Sequence, residues 1–172
     1  MYRYFKGQIT EVRATHITLE VNNIGYMIKV SNPYQFQVSE ETTIYLHYHI
    51  REDAHELYGF KDATTLDMFE SLINVKGLGP KGALAILASS TPNEIVEALN
   101  NSNAKFFSSF PGIGPKLSQQ IILDLKGKID IDVTEVEDDS TEDLMDTLSA
   151  LGYKTAEIKK VIGNIDHSKS LE

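Results

Sequence analysis

The chain has 172 residues, of which 41% are hydrophobic, and it carries a formal net charge of −9 with no cysteine. This length can bury one good core or two to three small ones. The lack of cysteine excludes disulfides, thiolate metal sites and cysteine nucleophiles. Because no apolar run could span a bilayer and no N-terminal signal pattern occurs, we expect a cytoplasmic protein without a membrane segment.

The charge is distributed unevenly along the chain. Residues 1–70 carry a net charge of −4, residues 71–129 carry +3 and residues 130–172 carry −8. A polyanionic partner responds to local charge more than to the total, so the basic middle third keeps nucleic acid among the candidate ligands.

Apolar and polar residues alternate with period two through the first sixty residues, in segments such as HITLEV, GYMIKV and TIYLHYHI. Turn signals, among them Asn22-Asn23 and Asn32-Pro33, separate these segments. The pattern predicts five or six short strands in residues 1–62, forming a small barrel of which the OB type is one solution. A small open sheet capped by the next segment is the alternative.

The hydrophobic spacing becomes helical from Thr64 onwards. In TTLDMFESLINV, one helix face would hold Leu66, Phe69, Leu72 and Ile73. In TPNEIVEALN, Thr91 is placed as N-cap, Pro92 as first helical residue and Glu94 as partner in a capping box. NAKFFSSF and KLSQQIILDLKGK supply two more helices, which makes residues 63–129 a helical domain.

An acidic run without helical periodicity, IDIDVTEVEDDS, follows this domain. We interpret residues 130–140 as an acidic flexible linker. Helical spacing resumes in residues 141–172, where Leu144, Leu148 and Leu151 form an apolar stripe. The sequence therefore predicts an α+β multidomain protein with a barrel, a central helical domain and a small C-terminal helical domain.

Two segments of the helical middle repeat each other at an offset of 35 residues: KGLGPKGALAIL and PGIGPKLSQQII. Each contains glycine, an aliphatic residue, glycine, proline and lysine, followed by an apolar helical pattern. A single G-x-G pattern would mean little at this glycine content, but two copies of the five-residue pattern are hard to attribute to chance.

The repeated pattern fits two helix-hairpin-helix motifs. Glycines permit positive φ and close approach of a ligand, while Leu78 or Ile113 would anchor the hairpin between its helices. Backbone N–H groups at the start of the second helix suit a phosphate, beside which Lys81 or Lys116 adds positive charge. None of these groups reads a base edge, so binding should be independent of sequence and sensitive to salt. The alternative is that each pattern is only a compact helix connection.

The chain resembles the RuvA family, the Holliday-junction DNA-binding subunits of bacterial branch-migration complexes. The resemblance rests on GYMIKV, REDAHELYGF, NVKGLGPKGALAIL, FPGIGPKLSQQII and LSALGYK in this order, and it extends to about Ile165. It implies an OB-like barrel, two helix-hairpin-helix motifs and a small helical domain, similar to ubiquitin-associated domains, on a flexible linker.

The resemblance also implies a function and a set of partners. Family members form a homotetramer that holds a four-way junction open, and an octamer on DNA is a further possibility. They recruit the ATPase RuvB through the C-terminal domain, and RuvC is the nuclease that resolves the junction. No catalysis and no cofactor are expected of this chain, since ATP and Mg²⁺ are used by the partner motor.

Carried over residue by residue, the resemblance assigns three sets of site residues. The phosphate-binding hairpins are Gly77, Gly79 and Lys81, and Gly112, Gly114 and Lys116. The acidic pin falls on Glu52 and Asp53. The RuvB-binding residues are Leu148, Leu151, Tyr153, Ile158 and Ile162, some of which must also form the small domain's core.

The sequence departs from the family pattern in two respects. Many members have an arginine that can reach phosphate where this sequence has Gln120, so the second hairpin would rely more on backbone N–H groups and Lys116. Members usually have a third C-terminal helix after the region of Asp166, whereas this sequence stops at HSKSLE. Either the chain is truncated or this member lacks that helix, and the RuvB-binding domain is expected to be incomplete.

Other readings of these residues remain open. Glu52 and Asp53 could be Mg²⁺ ligands of a nuclease, although no third carboxylate stands at an obvious spacing. His47 and His49 share a strand face and could form a metal cluster with His55, the alternative being three half-buried structural histidines.

Aromatic residues of the first domain could form a platform for unpaired bases, or they could be barrel core and subunit contacts. They are Tyr2, Tyr4, Phe5, Tyr26, Tyr45 and Tyr48. A further alternative is that the chain is a pure interaction module that binds partner proteins through LSALGYKTAEIKKVI.

Overall fold

A computed structural model of the chain describes residues 1–52 and 54–129, which form a β-barrel followed by a group of short helices. The described residues all fall within one compact unit. In this part of the chain, no helix combines the length and the apolar character that crossing a membrane requires.

The barrel is built from five strands: β1 (Tyr4–Val12), β2 (His16–Val21), β3 (Ile24–Val30), β4 (Glu41–Arg51) and β5 (Ala54–Phe60). The sheet closes in the order β1-β2-β3-β5-β4, and all neighbours are antiparallel except β3 and β5. The predicted OB-like barrel is therefore confirmed, and the open-sheet alternative is wrong.

Alternation along the strands produces the barrel core. The buried residues inside the barrel are Ile9, Ile17, Leu19, Ile28, Val30, Phe36, Ile44 and Leu46. Asn22 and Asn23 adopt positive φ values of 51° and 63° between β2 and β3. Consecutive positive φ values match the two-residue hairpin turns whose twist suits antiparallel strands, and asparagine tolerates them well.

The aromatic residues of the first domain do not all belong to this core. Tyr2 and Tyr4 are 46% and 58% exposed, so they lie outside the barrel core, and their alternative role as subunit contacts stays a prediction. Phe5 and Tyr26 pack partly buried against the barrel core, while Tyr45 packs against the helical core.

Five helices follow in the described residues: α1 (Ala63–Ile73), α2 (Pro80–Leu87), α3 (Pro92–Asn100), α4 (Ala104–Ser108) and α5 (Pro115–Leu125). The predicted capping box at the start of α3 is confirmed, since Thr91 and Glu94 bond each other's backbone N–H groups. Asp62 caps α1 by accepting a 2.6 Å hydrogen bond from the Thr65 N–H.

Helix α1 joins the barrel to the other helices. Its residue Phe69 packs against Tyr58 and Phe60 of β5, with ring centroids 5.3 and 4.9 Å away. Met68 is fully buried as well, outside the predicted face, because α1 contacts the barrel on one side and α2, α3 and α5 on the other. This continuous core fixes the β4–β5 hairpin relative to α2.

Candidate nucleic-acid interface

The two repeated segments form two hairpins with the same backbone geometry. Gly77 and Gly112 adopt φ values of 94° and 81°, a region that residues with a Cβ atom rarely occupy. One residue further on, the N–H of Leu78 bonds the Val75 carbonyl at 3.0 Å. In the second copy, the N–H of Ile113 bonds the carbonyl 35 residues further along the chain, that of Phe110, at 3.2 Å. The internal repeat of the sequence is thus a structural repeat.

The aliphatic residue between the glycines anchors each hairpin. Leu78 and Ile113 are both 4% exposed and belong to the same hydrophobic core. Their predicted role is confirmed, and it explains why the loops between α1 and α2 and between α4 and α5 hold one shape.

The second glycine of each hairpin differs from the first. Gly79 and Gly114 have φ values of −89° and −84°, so the expectation of positive φ is wrong for them. They are the N-caps of α2 and α5, where no side chain accepts from the helix N–H groups. A Cβ atom at either position would meet nothing within 4 Å. The glycines therefore leave the first helical turn open to an approaching anion.

The hairpins contact each other and enclose a groove. A Cβ atom at Gly77 would lie 3.6 Å from the Leu117 side chain of the other hairpin. The groove, about 570 Å³ in volume, is lined by Lys76, Gly77, Gly114, Lys116, Leu117 and Gln120. Lys76 was missed as a site residue by the sequence reasoning, although it directly precedes the first glycine in the basic third of the chain.

Gln120 lies in this groove and turns its amide toward Asp124. The Gln120 Nε2 donates a 2.8 Å hydrogen bond to the Asp124 carboxylate four residues later in α5. A neutral amide adds no charge, so the positive charge of the groove comes from Lys76 and Lys116.

Lys81 lies apart from this groove. It lines a second cleft, about 410 Å³ in volume, between the start of α2 and one face of the β4–β5 hairpin. We call this the hairpin-base cleft, and its lining residues are His49, Arg51, Ala54, Glu56, Tyr58, Gly79, Pro80 and Lys81. The two lysines that occupy equivalent positions in the repeat thus lie in different surroundings.

Glu52 lies in the connection between β4 and β5, where Arg51 and Ala54 form the last strand pair, and it is exposed. Asp53, the second residue of the predicted acidic pin, lies outside the described residues. The predicted RuvB-binding residues, Leu148, Leu151, Tyr153, Ile158 and Ile162, lie outside them too.

The structure does not bring the three candidate metal-binding histidines together. His47 and His49 share one face of β4, and the His47 Nδ1 lies 3.0 Å from a carboxylate oxygen of Glu70. His55 lies on the opposite face, where its Nδ1 is 2.8 Å from the Tyr48 hydroxyl. Within residues 1–52 and 54–129, no group of three histidines or carboxylates is arranged to hold a metal ion.

The fold and the hairpins define a class of protein: a closed OB-like barrel joined to a tandem helix-hairpin-helix domain whose two uncapped helix starts suit anionic groups such as phosphates. Family models agree with this assignment along the chain. Residues 1–59 match the RuvA N terminal domain, residues 69–128 the SAM-like helix-hairpin-helix tandem, and residues 139–172 the RuvA C-terminal domain.

Individual relatives extend this similarity over nearly the whole chain. A protein of Acholeplasma laidlawii (strain PG-8A) is 44% identical over 99% of this chain and 93% of its own length. A protein of Staphylococcus aureus (strain MRSA252) is 44% identical over 98% of this chain and 92% of its own length. Both are described as Holliday junction branch migration complex subunit RuvA. This chain belongs to the RuvA family.

Proposed function

We propose that this chain binds four-way DNA junctions by their structure, independently of sequence, holds them open and recruits the RuvB ATPase for branch migration in recombination and repair. The observation that carries the proposal is the pair of uncapped hairpins, held by one core in the same compact unit as the β4–β5 hairpin. Membership of the RuvA family supports the choice of ligand.

The hairpins would supply the affinity. Each presents open N–H groups at a helix start, with the positive end of the helix dipole behind them. Lys76 and Lys116 in the groove and Lys81 in the hairpin-base cleft add mobile charges. Phosphates are the natural ligands of such groups, and they occur in every duplex, so we assign the preference for a junction to a second element.

The acidic pin, Glu52 and Asp53, would supply that preference. A carboxylate about 6 Å from a phosphate repels it by roughly 0.7 kcal/mol in water. Opening one base-pair step costs about 1.4 kcal/mol, so one pair of carboxylates cannot melt a duplex. In a homotetramer, four pairs would surround the point of strand exchange, exclude phosphates from it and direct the separated strands outward.

The proposal includes an oligomeric state and a set of partners. The chain acts as a homotetramer, with an octamer on DNA as a further form, in the cytoplasm. Its C-terminal domain contacts RuvB through Leu148, Leu151, Tyr153, Ile158 and Ile162, and RuvC joins the larger complex. RuvB would use ATP and Mg²⁺, while this chain would act without a cofactor and without catalysis of its own.

A gel-shift titration tests the proposal, with the full chain added to a four-way junction or to linear duplex of equal length at rising salt, and with solution mass measured alongside. We expect tighter binding to the junction, a steep loss of affinity with salt and the mass of a tetramer. Equal affinity for both DNAs would overturn junction specificity, and the mass of a monomer would overturn the assembly.

A further inference from the structure

The hairpin-base cleft connects the first helix hairpin to the strands that carry the acidic pin. Gly79, Pro80 and Lys81 form its helical wall, and β4 and β5 contribute the facing wall through side chains on one side of their hairpin. Phe69 of α1 packs against Tyr58 of β5, and one buried core contains residues of β5, α1 and α2, so the cleft is a defined feature of the fold.

The one acidic side chain among the residues lining this cleft, Glu56, is neutralised by its neighbours. The Lys29 ammonium of β3 bonds one of its carboxylate oxygens and the Tyr58 hydroxyl donates to the other. These two hydrogen bonds lower the pKa of Glu56, so it stays ionised with its charge matched by Lys29. The pKa of Tyr58 is raised, chiefly by burial, which keeps its phenol protonated as a donor.

The remaining charges of the cleft are positive. Arg51 and Lys81 are exposed, and within residues 1–52 and 54–129 neither forms an ion pair. Once Glu56 and Lys29 are counted as a neutral pair, the cleft therefore presents two cations to whatever enters it.

The protonation state of His49 determines how many positive charges the cleft carries. Arg51 Nε donates a 2.8 Å hydrogen bond to His49 Nε2, which must then be unprotonated. Burial, the Arg51 cation and His47 lower the pKa of His49, against the opposing effect of Glu56. Protonating Nε2 would break the bond from Arg51 and place two cations side by side. An anion in the cleft would compensate both.

We propose that the hairpin-base cleft binds one phosphodiester group of a DNA strand, held by Arg51 and Lys81, with His49 as a third ligand that takes up a proton on binding. The proposal rests on the proposed DNA binding and extends the phosphate contacts of the first hairpin to the base of the acidic pin. His49 Nε2–H then donates to the phosphate, and Arg51, released from His49, turns to the same anion.

The consequence is a pH-dependent affinity. A bound phosphate raises the His49 pKa from its lowered value, so binding takes up a proton over the interval between the free and bound values. Affinity therefore rises as the pH falls through that interval and levels off below it. The rise is about tenfold for each unit by which the phosphate raises the pKa.

Fluorescence anisotropy with a labelled four-way junction measures this effect, using the full chain between pH 8 and pH 5.5 at constant ionic strength. We expect His49→Gln to remove most of the rise in affinity seen for the wild type. His55→Gln is the matched control on the opposite face of the same hairpin, and it should keep the rise. Thermal melts of each variant check the fold.

The contribution of Arg51 is tested by the salt dependence of junction affinity. Arg51→Gln should reduce the slope of log affinity against log salt by about 0.9 for each phosphate that is no longer neutralised, while Arg51→Lys should keep most of the slope. The cleft proposal is overturned if His49→Gln keeps the wild-type pH dependence, or if Arg51→Gln keeps the wild-type salt slope. A wild type that shows no preference for the junction would instead count against the proposed function, so the two failures are distinguishable.

Discussion

In the first helix hairpin, Lys81 faces the base of the β4–β5 hairpin, whereas Lys116 of the second hairpin shares a groove with Lys76. The backbones around these lysines are nearly the same, with φ values of 94° and 81° at the first glycine and −89° and −84° at the second. The difference shows that the five-residue motif determines the backbone geometry of the hairpin, while the elements packed against it determine which charged side chains lie around the open helix start.

The largest expected effect is a loss of stability when the buried aliphatic residue that anchors each hairpin is truncated. Leu78→Ala and Ile113→Ala should each lower the free energy of unfolding by about 2–5 kcal/mol, because both side chains are buried in one core. Urea denaturation followed by circular dichroism measures this loss. Ile24→Ala, at an exposed position, is the control and should change stability by less than about 0.5 kcal/mol. A hairpin that tolerates the truncation would not be anchored as described.

The two glycines of each hairpin should respond differently to alanine. Gly77→Ala and Gly112→Ala should cost about 1–2 kcal/mol of stability because their φ values are positive. Gly79→Ala and Gly114→Ala should cost less, about 0.5–1 kcal/mol, because alanine is a poorer N-cap than glycine. They should still weaken junction binding, since the new methyl group enters the open space before the helix. Junction binding at the wild-type level by these last two variants would contradict the assigned phosphate position.

The salt dependence of junction binding measures how much the lysines of the groove and the lysine of the hairpin-base cleft each contribute. The double variant Lys76→Gln with Lys116→Gln should reduce the slope of log affinity against log salt by about 1.8, and Lys81→Gln alone by about 0.9. Lys61, whose ammonium lies 5.0 Å from the centre of the Phe36 ring, is the control. If Lys61→Gln lowers the slope as much as Lys81→Gln, the effect reflects total charge and not these positions.

The smallest expected effect concerns the neutral pair behind the hairpin-base cleft. Glu56→Gln should lower stability at pH 7 by about 0.2–1 kcal/mol. Since hydrogen bonds from Lys29 and Tyr58 lower the Glu56 pKa, this contribution is present above the ordinary value of 4.5 and is lost as the pH falls through the lowered value. Urea titrations at pH 7 and at pH 3.5 to 5 measure it. Glu20→Gln, at an exposed site, is the control and should change stability at pH 7 by less than about 0.5 kcal/mol.

Much of the hairpin geometry was predictable from the sequence, because it depends on local chemistry. A repeated glycine pair with an aliphatic residue between indicates a tight, anchored turn, and Leu78 and Ile113 are buried as expected. The capping box of Thr91 and Glu94 is local in the same sense. The role of the second glycine was not predictable, since only the backbone shows that Gly79 keeps an ordinary φ and leaves space.

The barrel was predicted, but details that depend on strand register and on packing between distant elements were not. Period-two spacing places His47 and His49 on one face, but the strand register that puts His55 on the other is set by the β4–β5 turn. Met68 is buried because α1 is covered on two sides, which its spacing does not show. Arg51 and Lys81 line the same hairpin-base cleft although thirty residues of chain separate them, and this depends on the packing of α1 against the barrel and α2.

The central claim is that the hairpins provide affinity while the acidic pin provides the preference for a junction. Competition binding tests it most directly, by comparing the ratio of duplex Kd to junction Kd for the wild type and for the double variant Glu52→Gln with Asp53→Asn. The account predicts that this ratio falls toward one while the salt slope of junction binding keeps its sign and steepness. An unchanged ratio would contradict it.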